Sequence, residues 1–170
     1  MSFSYRFETV ETRQLDRLVS FVRAHNPGYR GYYEWINKMR AEVAAGYKEA
    51  IIATSNDKVI GTSIWQPHKA LSELAEFKNL RVVENGRSIA RFIAKQVEVE
   101  ARERGFWGII CDVRSNQPQI VRFMVHLDYT PIKTISLYES SEPDVIMVKL
   151  FYPTDATRNE KILNSQFFRH

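Results

Sequence analysis

Leu80-Arg81-Val82-Val83-Glu84-Asn85-Gly86-Arg87-Ser88-Ile89-Ala90 reads as a strand, a tight polar turn and the first turn of a long amphipathic helix. The first N–H groups of a helix lack intrahelical acceptors and sit at the positive end of its dipole. A helix start entered through a Gly/Ser turn is therefore suited to an anion, and above all to a phosphate.

On the C-terminal side of that turn, Ile89, Ile93, Val97 and Ala101 recur every fourth position, with Ala90, Ala94 and Phe92 widening the stripe. The pattern predicts a helix over Ser88 to Arg104, closed by Gly105. Trp107 to Val113 is nearly all apolar, as in a strand buried on both faces. Pro118 opens a short helix to Leu127. Thr130 to Tyr138 and Val145 to Phe151 read as two strands.

On the N-terminal side, Phe77 to Val83 is a strand, and residues 68–76 are ambiguous. Ala50 to Thr54 and Val59 to Trp65 form a hairpin about Ser55-Asn56-Asp57-Lys58, ended by Pro67. Helices over Thr12 to Ala24 and Tyr32 to Ala45 are separated by Asn26-Pro27-Gly28. Phe3 to Val10 alternates as a strand. The order is β-α-α-β-β-β-α-β-α-β-β, an α/β (α+β) class with one domain over 1–151. Residues 152–170 fall outside it. Their apolar Ile162, Leu163, Phe167 and Phe168 suit docking on the body or on a second subunit, as in a homodimer; a disordered tail is the other reading.

The 170 residues are 44% hydrophobic and 26% charged, enough for a real core and close to the globular norm. A net charge of +4 without a Lys/Arg block or ribonucleoprotein-type motif gives no case for nucleic acid. No apolar run reaches the ~20 residues that span a bilayer, and no signal peptide pattern opens the chain. The single cysteine, Cys111, permits no intrachain disulfide. A cytoplasmic protein without membrane attachment is expected. The four histidines show no metal-ligand spacing with one another or with Cys111, so no metal is expected.

The order of elements, with its helix-start anion site after the fourth strand, resembles the GNAT superfamily of acyl-CoA N-acyltransferases over about residues 3–151. The family motif Arg/Gln-x-x-Gly-x-Gly/Ala aligns with Asn85-Gly86-Arg87-Ser88-Ile89-Ala90. Ala90 fits, Asn85 replaces Arg/Gln, and Ser88 replaces the central Gly. Gly61 stands where the third strand often has a glycine. Asn116 and the helix ending Leu127-Asp128-Tyr129 resemble the family's Asn…helix…Leu-Gly-Phe segment, with Asp128 in place of Gly. The position of the family's helix tyrosine holds Met124, or Phe123 one register away.

The resemblance implies a mixed, mainly antiparallel sheet with helices on both faces. It further implies acetyl-CoA as co-substrate and transfer of its acetyl group to a primary amine, of a small molecule or a peptide, by direct attack. The non-catalytic alternative is a CoA-binding or interaction module of the same fold. Pantetheine would lie along Leu80, Arg81, Val82 and Val83, and Asn116 would help to hold the cofactor. The pyrophosphate would sit on the N–H groups of Gly86, Arg87, Ser88, Ile89 and Ala90, next to Asn85. Arg87, Arg91 and Lys95, four apart, would share a basic helix face.

Acyl transfer needs an oxyanion site, a base for the amine and, where used, an acid for the thiolate. Glu76 and Asp112 are the candidate bases, and Tyr129 and Tyr138 the candidate acids. Cys111, among Ile109, Ile110 and Val113, reads as a buried small hydrophobe rather than a nucleophile. The stretch His25 to Trp35 could frame an acceptor with its aromatics, or pack the second helix on the sheet.

Overall fold

A computed structural model describes residues 4–83, 86–137 and 142–169. Asn85 and Tyr138 lie outside the described residues, as does the Arg87 side chain. Among the described residues seven strands run β1 (Tyr5–Thr9), β2 (Glu49–Ser55), β3 (Lys58–Pro67), β4 (Leu74–Val82), β5 (Gly108–Arg114), β6 (Thr130–Ile135) and β7 (Asp144–Leu150). The helices are α1 (Leu15–Ala24), α2 (Tyr32–Ala44), α3 (Arg87–Glu103), α4 (Pro118–His126), α5 (Ala156–Leu163) and α6 (Gln166–Arg169). The sheet order is β1-β2-β3-β4-β5-β7-β6. The β4–β5 pair is parallel, while β1–β2, β2–β3, β5–β7 and β6–β7 are antiparallel.

The chain forms two compact units. One holds Met1–Gln66 and Lys78–Val97, the other Pro67–Phe77 and Glu98–His170. In the first, α1 offers Leu18, Val19 and Val22 on one stripe, and α2 offers Tyr32, Ile36 and Met39. These residues pack on Ala50, Ile52 and Ile64. The opposite face of β3 meets α3: a Cβ on Gly61 would lie 2.7 Å from Ile93 Cδ1. Strand β3 thus buries alternate residues under different helices. The hairpin turns through Asn56 and Asp57, both at positive φ (48° and 60°), the twist that two-residue hairpins require.

In the second unit β5 pairs with β7 along its length, from Gly108↔Leu150 to Arg114↔Asp144. Leu71, Leu74, Ile110, Ile146 and Val148 form a core on one sheet face with Ile162 of α5, and Phe167 and Phe168 pack against it. The tail 152–170 therefore docks on its own chain. Asp155 caps α5 by accepting from the Arg158 N–H at 3.1 Å. The Trp107 indole N–H donates to Asn159 Oδ1 at 3.1 Å, and the Arg158 guanidinium lies 3.7 Å over the Trp107 ring.

Two expectations change. Residues 74–76 are strand, because Leu74 and Ala75 are fully buried and ladder with Gly108 and Ile109. Phe92 does not widen the buried stripe of α3. It is 60% exposed, on the flank of the helix beside Phe7.

Candidate acyl-donor and amine site

The turn from β4 into α3 is built from close backbone packing. Val83 N–H donates to the Ile60 carbonyl at 3.0 Å, and Gly86 N–H donates to the Val83 carbonyl at 2.9 Å. A Cβ at Gly86 would stand 2.8 Å from that same carbonyl oxygen and 2.9 Å from Val82 Cβ. Glycine is needed here for space against backbone, not for an unusual φ. Helix α3 starts at Arg87, and Ala90 N–H already donates to the Gly86 carbonyl at 2.9 Å. Of the five N–H groups expected to face a phosphate, Gly86 and Ala90 are thus spent inside the turn. Arg87, Ser88 and Ile89 are the first three residues of the helix, and their N–H groups are the donors that a helix start offers. Ser88 is exposed and Ile89 buried, so the hydroxyl faces solvent while the next side chain anchors the helix. The three donors and the positive end of a 17-residue helix fit a phosphate group. Arg91 is exposed on the next turn, and Lys95 is half-buried.

Val83 N–H, one residue past the end of β4, makes its bond to Ile60 where the β2–β3 ladder shifts register, between Gly61 and Val59. The Arg81 guanidinium donates back to the Leu80 carbonyl at 3.1 Å. Side chains of β4 then meet a buried tyrosine. Tyr32 O–H donates to the Val22 carbonyl at 3.4 Å, and Asn79 and Arg81 hydrogen-bond the Tyr32 oxygen. Burial raises the Tyr32 pKa, and the Arg81 charge and these bonds work against the rise. Asn79 Oδ1 and Thr62 Oγ1 are buried with no partner among the described residues. Asn79 thus adds an unpartnered acceptor beside Tyr32, inside an otherwise apolar layer. The sequence reading missed Asn79 and Thr62. Their signal was a polar residue at a buried position of an apolar strand.

Of the aromatics in residues 25–35, Tyr32 and Trp35 take the packing role. Tyr32 stacks on Trp35 with ring centroids 5.4 Å apart, and both pack α2 on the sheet. Tyr29 and Tyr33 are 39% and 54% exposed.

In the second unit, Glu76 ladders with Ile110, and Asp112 lies two residues further along β5. Cross-strand partners share a sheet face, so both carboxylates stand on the face that carries Ile110 and Ile146. Cys111 points the other way and is 5% exposed. Burial drives its thiol pKa well up, and Asp112 and Glu76 add to the rise, so it is a protonated core side chain. Tyr129 is 1% exposed, with its ring 6.3 Å from Phe77. Its hydroxyl is buried without a hydrogen-bond partner among the described residues. Burial, then Cys111 and Glu98, raise its pKa well above that of a free tyrosine.

Asn116 sits exposed in the turn between β5 and α4. Met124 occupies the buried face of α4 at 4% exposure. Asp128 adopts φ 68°, the left-handed conformation that explains a usual glycine there. Among the described residues no group of three or more His, Cys, Asp or Glu is placed to hold a metal ion, and no helix is long and apolar enough to cross a membrane.

No family model matches the sequence, and no curated protein matches it. Solved structures do. A putative acetyltransferase of the GNAT family from Desulfovibrio desulfuricans superposes with a TM-score of 0.74 at 13% identity, over 88% of this chain and 99% of that one. The ribosomal-protein-S18-alanine N-acetyltransferase of Escherichia coli gives 0.70 at 15% identity, over 86% and 94%. Arabidopsis thaliana NAA60 in complex with acetyl-CoA gives 0.70 at 16% identity, over 87% and 99%. The chain has the GNAT fold, as the order of its elements implied.

Proposed function

We propose that this protein is an N-acetyltransferase that moves an acetyl group from acetyl-CoA to the primary amine of a small molecule or peptide. The observation that carries the reading is the β4–Gly86–α3 turn, where close packing against the Val83 carbonyl leaves a helix start with three backbone donors. Its setting in a fold shared with acetyltransferases, one of them holding acetyl-CoA, supports CoA as the source of the phosphate.

Arg87, Ser88 and Ile89 N–H groups would hold the pyrophosphate, with Arg91 adding charge. Leu80 and Val82 on β4 would hold pantetheine and the thioester carbonyl by backbone hydrogen bonds. Asn85 and Asn116 complete the expected cofactor contacts. Acetyl-CoA supplies an activated acyl thioester. The chain has to bind and orient it beside the amine, and orientation alone supplies much of such a rate. Glu76 or Asp112 would take the amine proton, directly or through water. Tyr129 would be the acid for the thiolate: burial leaves its hydroxyl protonated and without a hydrogen-bond partner among the described residues, and the raised pKa makes it a weak donor. Tyr138 is the other tyrosine assigned to that role.

The second reading is CoA binding without turnover, as a binding or interaction module. It draws on Met124, a buried thioether where the family has an acidic tyrosine. The amine could belong to a protein, as for the ribosomal-protein-S18-alanine enzyme, or to a small molecule. A homodimer and a cytoplasmic setting remain part of the proposal.

Calorimetric titration with acetyl-CoA tests the cofactor, and thiol release across a panel of amines tests transfer. Saturating acetyl-CoA at ~100 times its Kd adds about 2.7 kcal/mol of stability. No binding at millimolar acetyl-CoA refutes both readings, whereas binding without thiol release for any amine leaves the second.

A further inference from the structure

The C-terminal helices share a sheet face with both candidate bases. Ile110 and Ile146 pack in one core with Ile162 of α5, and Phe167 and Phe168 of α6 lie against that core. Glu76 ladders directly with Ile110, and Asp112 with Ile146. Ile146 in turn ladders with Lys133 on β6. Lys133 Nζ donates to the Phe167 carbonyl at 2.8 Å and lies 5.6 Å from the Phe167 ring centroid. The same ring receives His68 edge-on at 4.8 Å. One row across the sheet thus reads Asp112, Ile146, Lys133, and Phe167 is tied to its last member.

The two helices are fastened unequally. In α5, Ile162 is 2% exposed, Asp155 caps the start, and Asn159 and Arg158 hold Trp107. In α6 no residue is fully buried. Its described ties are the Lys133–Phe167 carbonyl bond, the Phe168 N–H bond to the Ser165 carbonyl at 3.1 Å, the Phe167 ring against Lys133 and His68, and the packing of Phe167 and Phe168 on the core. Helix α6 has few buried contacts and can shift at low cost while α5 stays in place.

We propose that α6 is the wall of the amine-acceptor side of the site, and that Phe167 sets which acceptors reach Glu76 and Asp112. The proposal deepens the acetyltransferase reading and rests on it. The wall is aromatic and the floor holds two carboxylates, so the acceptor it fits is a compact amine, cationic before reaction, on an apolar stem. A ring at Phe167 admits that stem and turns away bulkier acceptors.

The test uses the full chain, a chain ended at Ser165, and Phe167→Ala, the last leaving the backbone of α6 intact should the shortened chain fail to fold. Carboxylates are labelled with a water-soluble carbodiimide and glycine ethyl ester and read by mass spectrometry, with Glu34 and Glu103 as references. This readout needs no activity. Labelling of Glu76 and Asp112 rises severalfold in both variants while the references stay constant. The kcat/KM ratio between a bulky and a compact amine rises about tenfold, the scale of discrimination that pocket packing gives, with acetyl-CoA affinity unchanged. Unchanged labelling in Phe167→Ala and in the folded shortened chain overturns the proposal. So does raised labelling with an unchanged acceptor ratio. If the full chain neither binds acetyl-CoA nor releases thiol, the acetyltransferase reading fails and the assignment of α6 as an acceptor wall falls with it; the labelling then reports only whether α6 covers the carboxylates.

Discussion

Gly86→Ala is the sharpest single perturbation of the turn. The added methyl carbon would stand 2.8 Å from Val83 O, 2.9 Å from Val82 Cβ and 3.1 Å from Val82 Cγ2. The nearest atom is backbone, and it is also the acceptor of the Gly86 N–H at 2.9 Å. No rotamer can relieve that contact, so the turn must move. Overpacking of this kind costs about 1–3 kcal/mol. A moved turn re-aims the N–H groups of Arg87, Ser88 and Ile89, and each hydrogen bond to a charged group is worth about 1.5–3 kcal/mol. Losing one therefore raises the acetyl-CoA Kd about tenfold or more, at 1.4 kcal/mol per decade. Gly61→Ala is the comparison. Its methyl would lie 2.7 Å from Ile93 Cδ1, the far end of a flexible side chain, then 3.1 Å from Val82 Cγ1 and 3.2 Å from Ile89 Cγ2. That change loosens the α3–β3 packing without touching the turn carbonyl. Urea denaturation and calorimetric titration on both variants separate the effects: both lose stability, and Gly86→Ala alone loses affinity out of proportion. A Gly86→Ala protein that binds acetyl-CoA as tightly as the native one refutes the assignment of the turn.

Three further outcomes follow from buried groups. Lys149→Met strips the ammonium from Glu98, both nearly buried, and from the Leu127 carbonyl it bonds at 2.9 Å. Breaking a buried ion pair by removing one partner costs about 3–5 kcal/mol, read by urea melts near neutral pH. Alkaline pH destabilises the fold, because burial raises the pKa of Cys111, Tyr32 and Tyr129 in the native state. The unfolded chain ionises first, so stability is complete below the unfolded pKa values of 9.0 and 10.0 and falls as pH rises through them. Each such group adds a slope of about 1.36 kcal/mol per pH unit, and Cys111→Ala removes the earliest of them. Tyr32→Phe removes the bond to the Val22 carbonyl and leaves Asn79 short of a partner. It costs about 1 kcal/mol in urea melts, and stability equal to the native protein would show that the network contributes nothing.

Much of this architecture could be read in the sequence where one signal dominated. The four-residue repeat of Ile89, Ile93, Val97 and Ala101 marks α3, and all four residues are buried. The apolar run of β5 marks a strand covered on both faces. Residues 68–76 were opaque because the polar Ser72, Glu73 and Glu76 hide a strand start whose only apolar pair, Leu74-Ala75, is too short to show a period. Phe92 misled because an aromatic near a helix stripe can cover the flank without entering the core. The tail was ambiguous because docking is decided by its partner surface. Leu71, Ile110 and Val148 belong to other elements, and no local pattern in 152–170 names them. At the site, glycines were visible and hydrogen bonds were not. Only the turn geometry shows that Gly86 and Ala90 N–H groups are used internally, and only tertiary packing brings Tyr32 to Asn79.

The choice between Glu76 and Asp112 turns on reach. Asp112 stands in the middle of a ladder that β5 keeps with β7 from end to end, opposite apolar Ile146. Glu76 is the last of the three β4 residues laddered to β5, and its side chain is one methylene longer. A carboxylate on a longer arm, at the edge of its ladder, can follow an incoming amine or hold a water against it, and on that ground Glu76 is the base we propose. Glu76→Gln keeps the shape and loses the basicity. General-base catalysis contributes about 10²–10⁴ in rate, so kcat falls by that order in Glu76→Gln and far less in Asp112→Asn. The acid limb of the kcat/KM profile, where a carboxylate loses its proton as pH rises, vanishes with Glu76 and survives in Asp112→Asn. The reverse pattern moves the role to Asp112. Retention of the limb in both variants would remove the carboxylates from the chemistry and leave deprotonation of the amine to water.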